Sequence, residues 1–261
     1  MPRFSANLTM MFTERPFLER FGAAAAAGFK AVEYVSPYEH PREVVAAELK
    51  RFGLVQALFN LPAGNWAAGE RGIACHPNRI GEFHRSVATA IDYAQALGCT
   101  RLNCLSGLAL EGVNPALLRR TFVDNLKYAA RETQKAGITL VAEAINPIDM
   151  PGFFLNTSRQ AMEIFDEVDS DNLFFQYDIY HMQRQEGELA ATLERLMPRI
   201  RHIQIASNPG RHEPDEGEIA YPYLFAHIDR LGYDGWVGAE YRPRARTEDG
   251  LAWFAPYRGL A

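Results

Sequence analysis

One feature constrains this chain more than any other: short β-forming runs and longer stretches of helical periodicity follow one another eight times. The runs are FSANL (4–8), AVEYVS (31–36), LVQALFNL (54–61), RLNCLSG (101–107), TLVAEAI (139–145), LFFQYDIY (173–180), IRHIQIA (200–206) and GWVGAEY (235–241). Between them lie FLERFGAAAAAG, PREVVAAELKRFG, IGEFHRSVATAIDYAQALG, PALLRRTFVDNLKYAARETQKAG, SRQAMEIFDEV, ELAATLERLM and YPYLFAHIDRLG, with TEDGLAWF after the last run. Such alternation is the pattern of βα units around a parallel sheet. The runs are apolar almost without alternation, as strands buried on both faces are. Several helical stretches stop at a glycine, among them Gly28, Gly53, Gly98, Gly137 and Gly232, and glycine closes helices by taking the left-handed conformation. Eight cycles in 261 residues, with no linker or low-complexity tract, predict a single α/β domain over 1–261, a (β/α)8 TIM barrel.

Bulk properties narrow the partners. With 48% hydrophobic residues the chain can bury one large core. No segment approaches the roughly 18 consecutive apolar residues of a membrane span. The opening MPRFSANLTMMF lacks the basic, apolar and small-residue regions of a secretory signal, so a cytoplasmic location is expected. Cys75, Cys99 and Cys104 form no CxxC pair and read as free, buried thiols. A formal charge of −5, with Lys and Arg scattered, gives no footprint for nucleic acid. The expected partner is a small molecule, with neither nucleic acid nor membrane; homo-oligomerisation is left open.

Three of the apolar runs carry a carboxylate where burial should exclude one: Glu143 in VAEAIN, Asp178 in QYDIYH and Glu240 in WVGAEY. Each lies late in its run, as does Gln204 in HIQIA, and barrel enzymes build their active sites at the carboxyl ends of strands. Runs five to eight would therefore aim three carboxylates and one amide at a common point. Three ionised carboxylates in a dry cavity are strongly unfavourable unless a cation neutralises them or they share protons. Oxygen donors with waters suit a hard divalent ion, Mg²⁺ or Mn²⁺, better than zinc. The competing reading is a set of separate hydrogen-bonded residues capping strand ends. His181, three residues after Asp178, is placed to meet a ligand; His202, two before Gln204, faces the same side deeper in the barrel. Two long loops would open on the same face: 62–79, with Trp66, Glu70 and Arg71, and 207–220, with Arg211, His212 and four acidic residues.

The segments NLPAGNWAAGERGIACHP, VAEAIN, QYDIYHMQRQEGEL, HIQIASNPGRHEP and GWVGAEYRP resemble the hydroxypyruvate isomerase family of the xylose isomerase-like TIM barrels, which also include 2-oxo-tetronate isomerases and ketose 3-epimerases. The resemblance covers nearly the whole chain. It implies isomerisation of hydroxypyruvate to 2-hydroxy-3-oxopropanoate without a nucleotide cofactor. It also implies Glu143 and Glu240 as proton donor and acceptor, with Glu143, Asp178, Gln204 and Glu240 as the divalent-metal set. Related 3-epimerases commonly carry histidine where this chain has Gln204, and an amide oxygen is the weaker ligand. AAGERGIAC and DIYHMQ look more like the hydroxypyruvate enzymes than the 2-oxo-tetronate ones.

A hydroxy or oxo acid substrate needs a clamp for its carboxylate, and arginine's planar fork matches it at two points. Arg71 and Arg211 are the candidates, and Trp66, Glu70 and His181 complete the expected substrate-facing set. Other readings have their own signatures. Metal-dependent endonucleases of the superfamily use several zinc ions and many histidines, which this sequence does not offer near its strand ends. A dehydratase would lose water from its substrate, and a non-catalytic sugar-binding protein would have no use for paired glutamates.

Overall fold

Every β-forming run pairs with its sequence neighbours, and the last returns to the first. The computed structural model describes residues 1–259. Strands β1 (Arg3–Asn7), β2 (Ala31–Tyr34), β3 (Val55–Asn60), β4 (Arg101–Asn103), β5 (Thr139–Glu143), β6 (Leu173–Asp178), β7 (Ile200–Ile205) and β8 (Trp236–Ala239) form a closed parallel barrel in sequence order. Closure sets Phe4 against Val237 and Ser5 against Gly238. The outer layer comprises α1 (Phe17–Ala27), α2 (Arg42–Phe52), α3 (Ile80–Leu97), α4 (Pro115–Lys135), α5 (Ser158–Val168), α6 (Ile179–Gln185), α7 (Leu189–Leu196) and α8 (Tyr221–Arg230), with a 3₁₀ stretch at Thr247–Tyr257. The chain is thus one TIM barrel.

Local chemistry explains these boundaries. Helix α3 buries Phe83, Val87, Ala90, Ala94 and Leu97, spaced by three and four residues, so one apolar stripe faces the sheet. It ends where Gly98 takes a left-handed φ of 62°. The sixth run was expected to stay extended to Tyr180, but β6 stops at Asp178. The Asp178 carboxylate accepts the backbone N–H groups of Tyr180 and His181 at 2.8 and 3.3 Å, which caps a short helix, α6, that the apolar pattern had hidden. Strand β4 is likewise shorter than its run.

Two interiors result. Between sheet and helices the packing is apolar. Inside the barrel it is polar: Ser5, Asn7, Glu33, Asn60, Asn103, Gln176, His202 and Gln204 are all buried. Gly238 makes room there, since a Cβ at this position would lie 2.3 Å from the Glu33 carboxylate oxygens.

Candidate active site

The strands deliver the predicted carboxylates to one mouth. Glu143 and Asp178 are the last residues of β5 and β6, Gln204 sits opposite Asp178 in β7, and Glu240 follows β8 directly. All four are buried. Parallel strands in register place their last inward-facing residues at similar heights, which is why residues far apart in sequence converge.

Two side chains stitch the carboxylates together. Arg211, from the loop after β7, donates to Asp178 Oδ2 at 3.4 Å and to Glu240 Oε2 at 2.5 Å. His181 Nε2 lies 3.5 Å from Asp178 Oδ2 and 3.8 Å from Glu143 Oε1. Beneath them, Gln176 and Asn103 donate to Glu143 at 3.0 and 3.3 Å, and Asn7 donates to Glu240 at 3.0 Å. Gln204 is otherwise engaged: its oxygen accepts from Gln176 at 2.6 Å and its NH₂ donates to Glu33 at 2.7 Å.

Burial and like charge shape the protonation of this cluster. Burial, then the neighbouring Glu240 and Asp178 charges, pushes the Glu143 carboxyl well above its ordinary range. Burial raises Glu240 to about 8, against the pull of Arg211. Asp178 is also raised by burial, with Arg211 and the α6 backbone N–H groups opposing. Burial, with the positive charges of Arg211 and Arg184, holds His181 well below its usual value, so the ring is neutral. The site therefore retains protons on carboxyl groups near neutral pH, the condition for a group that both gives and takes one.

The loop at 62–79 behaves differently. Glu70 binds the backbone N–H of Asn65 and pairs with Arg79, which also holds Glu82 at 2.6 Å. The Arg71 guanidinium lies 4.0 Å over the Trp66 ring and donates to the carbonyls of Trp66 and Glu70 at 3.1 and 2.7 Å. Trp66 is 43% exposed. Within the loop Arg71 stacks on Trp66 while the Glu70 side chain turns to Arg79, whereas Arg211 reaches the carboxylates.

Glu33 and Asn146 were not singled out from the sequence. Glu33 in AVEYVS carries the same signal as Glu143, a carboxylate inside an apolar run, but it sits in mid-strand. It accepts from Ser5 at 2.7 Å, Gln204 at 2.7 Å and Asn7 at 3.2 Å, and lies 2.9 Å from His202 Nε2. Burial acts to raise its pKa, but the His202 ring and the Gln204 and Ser5 donors outweigh it and hold it below the usual range. Asn146, beyond the end of β5, lies 2.6 Å from His181 Nδ1; an Asn-Pro pair in a loop gives no hint of that.

A model of the xylose isomerase-like TIM barrel family matches residues 21–257. The chain belongs to this family. It is 50% identical over 259 residues to a 2-oxo-tetronate isomerase of Cupriavidus necator, covering 99% of this chain and 100% of the relative. A hydroxypyruvate isomerase of Escherichia coli is 51% identical over 258 residues, again covering 99% of this chain and 100% of the relative. A crystal structure from Brucella melitensis, described as an AP endonuclease of family 2, superposes with a TM-score of 0.97 at 49% identity, covering 99% of this chain and 100% of that one. An L-ribulose 3-epimerase structure, with a TM-score of 0.77 at 21% identity, covering 100% of this chain and 89% of that one, shares the fold. With full-length likeness to named isomerases, this member of the xylose isomerase-like family is an isomerase.

The mouth also contains a group of side chains that could hold a metal ion. Glu143, Asp178 and His181 each offer one ligand atom, and these atoms lie within 4.8 Å of one another. Arg211, inserted between Asp178 and Glu240, shows that this corner draws positive charge. Raised carboxyl pKa values express the same demand, because a cation would favour the ionised forms that burial disfavours.

Proposed function

We propose that this isomerase interconverts hydroxypyruvate and 2-hydroxy-3-oxopropanoate by proton transfer between Glu143 and Glu240. The observation that carries the reading is the pair of buried carboxyl groups with raised pKa values, joined through Asp178, His181 and Arg211 at one mouth. Moving the carbonyl from C2 to C3 requires one carboxylate to take a proton from C3, giving an enediolate. The other carboxyl group returns a proton to C2, and the hydroxyl proton passes from O3 to O2. One partner must begin ionised and the other protonated, and strong mutual repulsion between two buried acids favours that state.

Glu143, Asp178 and Glu240 would hold the Mg²⁺ or Mn²⁺ ion. When bound, such an ion supplies Lewis-acid stabilisation of negative charge on substrate oxygens. Arg211 has the charge and position to bind the substrate carboxylate, and it already spans Asp178 and Glu240. Trp66, Glu70 and Arg71 form the rim that shapes entry and excludes water.

A 2-oxo-tetronate isomerase is the second reading, favoured by the nearly equal identity to a relative of that name. Ketose 3-epimerase chemistry has support only from fold. The small-molecule reading is preferred over a nuclease because the one group of potential metal donors found among the described residues contains a single histidine. No described helix is long and apolar enough to cross a membrane, and the three free cysteines suit the cytoplasm. Side-by-side turnover of hydroxypyruvate, 2-oxo-tetronate and simple ketoses, with and without chelator and in deuterated water, tests the proposal. Hydroxypyruvate should give the highest kcat/KM and acquire solvent deuterium at carbon. A higher kcat/KM for 2-oxo-tetronate would transfer the assignment, and full activity after chelation would remove the metal from the mechanism.

A further inference from the structure

We propose that Asn146 is a positioning residue that holds His181 in a single tautomer, with the proton on Nε2, so that the ring donates toward the carboxylates instead of ligating a cation. One donor in this cluster is beyond choice. The backbone N–H of Asp149 meets the Asn146 side chain at 2.9 Å, and a peptide N–H can only donate, so the facing amide atom is Oδ1. The other end of the amide is then NH₂. It lies 3.1 Å from Asp149 Oδ2 and 2.6 Å from His181 Nδ1. Turning the amide over would set NH₂ against an N–H and an oxygen against a carboxylate, losing both contacts to Asp149.

Asp149 is itself fixed, because its carboxylate accepts from Tyr180 Oη at 2.7 Å and from Arg184 at 2.7 Å. Asn146 and His181 are 0% and 2% exposed, which leaves little room for water to replace the amide. His181 Nδ1 is therefore the acceptor and bears no proton. A neutral imidazole must then carry its proton on Nε2, the nitrogen that faces Asp178 at 3.5 Å and Glu143 at 3.8 Å.

This geometry separates two roles that distance alone leaves merged. The His181 Nε2 atom is close enough to Glu143 and Asp178 to look like a third metal donor. A nitrogen whose lone pair is protonated cannot ligate, so the cation's protein donors reduce to the carboxylate oxygens, which favours a hard ion. The Nε2–H is left to donate to a substrate oxygen as negative charge builds on it. The tautomer stands without the proposed reaction; only the identity of the oxygen that receives the bond rests on that reading.

The test uses full-length protein labelled with ¹⁵N-histidine, with long-range ¹H–¹⁵N correlations assigned to His181 by their loss in His181→Gln. The expected spectrum places the proton on Nε2 with and without Mn²⁺, and pulsed EPR of the Mn²⁺ protein should show no directly bound imidazole nitrogen. In Asn146→Asp a carboxylate accepts where the amide donated, so the proton should move to Nδ1. For the proposed substrate, kcat should then fall at least about tenfold with KM little changed, the direction a wrong tautomer gives. Asn146→Ala, which imposes neither tautomer, should show both forms. A wild-type ring protonated on Nδ1 or exchanging between nitrogens, a Mn²⁺-bound imidazole, or a kcat within tenfold in Asn146→Asp would each overturn the assignment. The spectroscopic readouts need no substrate, so they fail separately from the proposed function.

Discussion

Glu33 and Glu240 share a hydrogen-bond donor yet sit on opposite sides of neutrality. Asn7 Nδ2 reaches Glu33 at 3.2 Å and Glu240 at 3.0 Å, and both side chains are buried. Glu33 sits lower in the barrel amid Ser5, Gln204 and His202, and its pKa falls below the usual carboxylate range. Glu240, at the mouth with Arg211 and Asn7, is raised to about 8. Burial presses both carboxyls upward, so their neighbours make the difference: His202 and the donors around Glu33 outweigh it, whereas at Glu240 the Asp178 and Glu33 charges add to it against Arg211. The lower layer gathers several donors around one carboxylate, and the upper one crowds three carboxylates around a single arginine, which suits a site that receives a cation or a substrate.

The largest effect should come from the upper layer. Glu143→Gln and Glu240→Gln each remove a titrating oxygen while keeping shape, and kcat should fall by about 10²- to 10⁴-fold, the range for general acid–base groups. Loss of deuterium incorporation, with circular dichroism unchanged, would show that the lesion is chemical. If either variant retains a tenth of wild-type activity, the two layers are not divided as described.

A different failure is expected below. Glu33→Ala leaves His202, Ser5 and Gln204 without their common partner, and breaking such a buried network costs about 3–5 kcal/mol. Denaturant unfolding should register that loss, and a stability within about 1 kcal/mol of wild type would show Glu33 to be dispensable.

The two carboxylates should also give opposite pH slopes in metal-free protein. Glu240 keeps its proton in the folded state between its ordinary value of 4.5 and about 8, while the unfolded chain has released it. Its contribution is full below that window and is lost as pH rises through it. Glu33, with a lowered folded pKa, stabilises above its ordinary range and loses that contribution as pH falls through the folded value. Thermal melts across this range should show a decline toward pH 8 that Glu240→Gln reduces, the remainder belonging to the raised Glu143 and Asp178 carboxyls, and saturating Mn²⁺ should reverse it, because binding requires ionised ligands. A decline of undiminished size in Glu240→Gln would assign it wholly to the other carboxyls.

The smallest effect belongs to the rim. Arg71→Ala and Trp66→Ala disturb a stacked pair on an exposed loop, and KM should rise by up to about tenfold with kcat within about threefold. An unchanged KM in both would detach this loop from substrate binding.

Much of this was legible in the chain itself. Apolar runs and helical stripes specify a parallel barrel, because each strand must be covered on both faces and each helix must bury one stripe. Carboxylates late in three such runs mark the mouth, since burying a charge without purpose is too costly to recur by accident. The rest depends on contacts between residues distant in sequence. Glu33 meets Gln204 and His202 across 169 or more positions, and Arg211 rather than Arg71 reaches the acids because its loop leaves β7, beside β8, and folds over both Asp178 and Glu240. Residue type and spacing settled which groups would be buried and where along each strand. Tertiary structure alone decided their partners, and in a medium that screens charge poorly those partners fix which atoms carry protons.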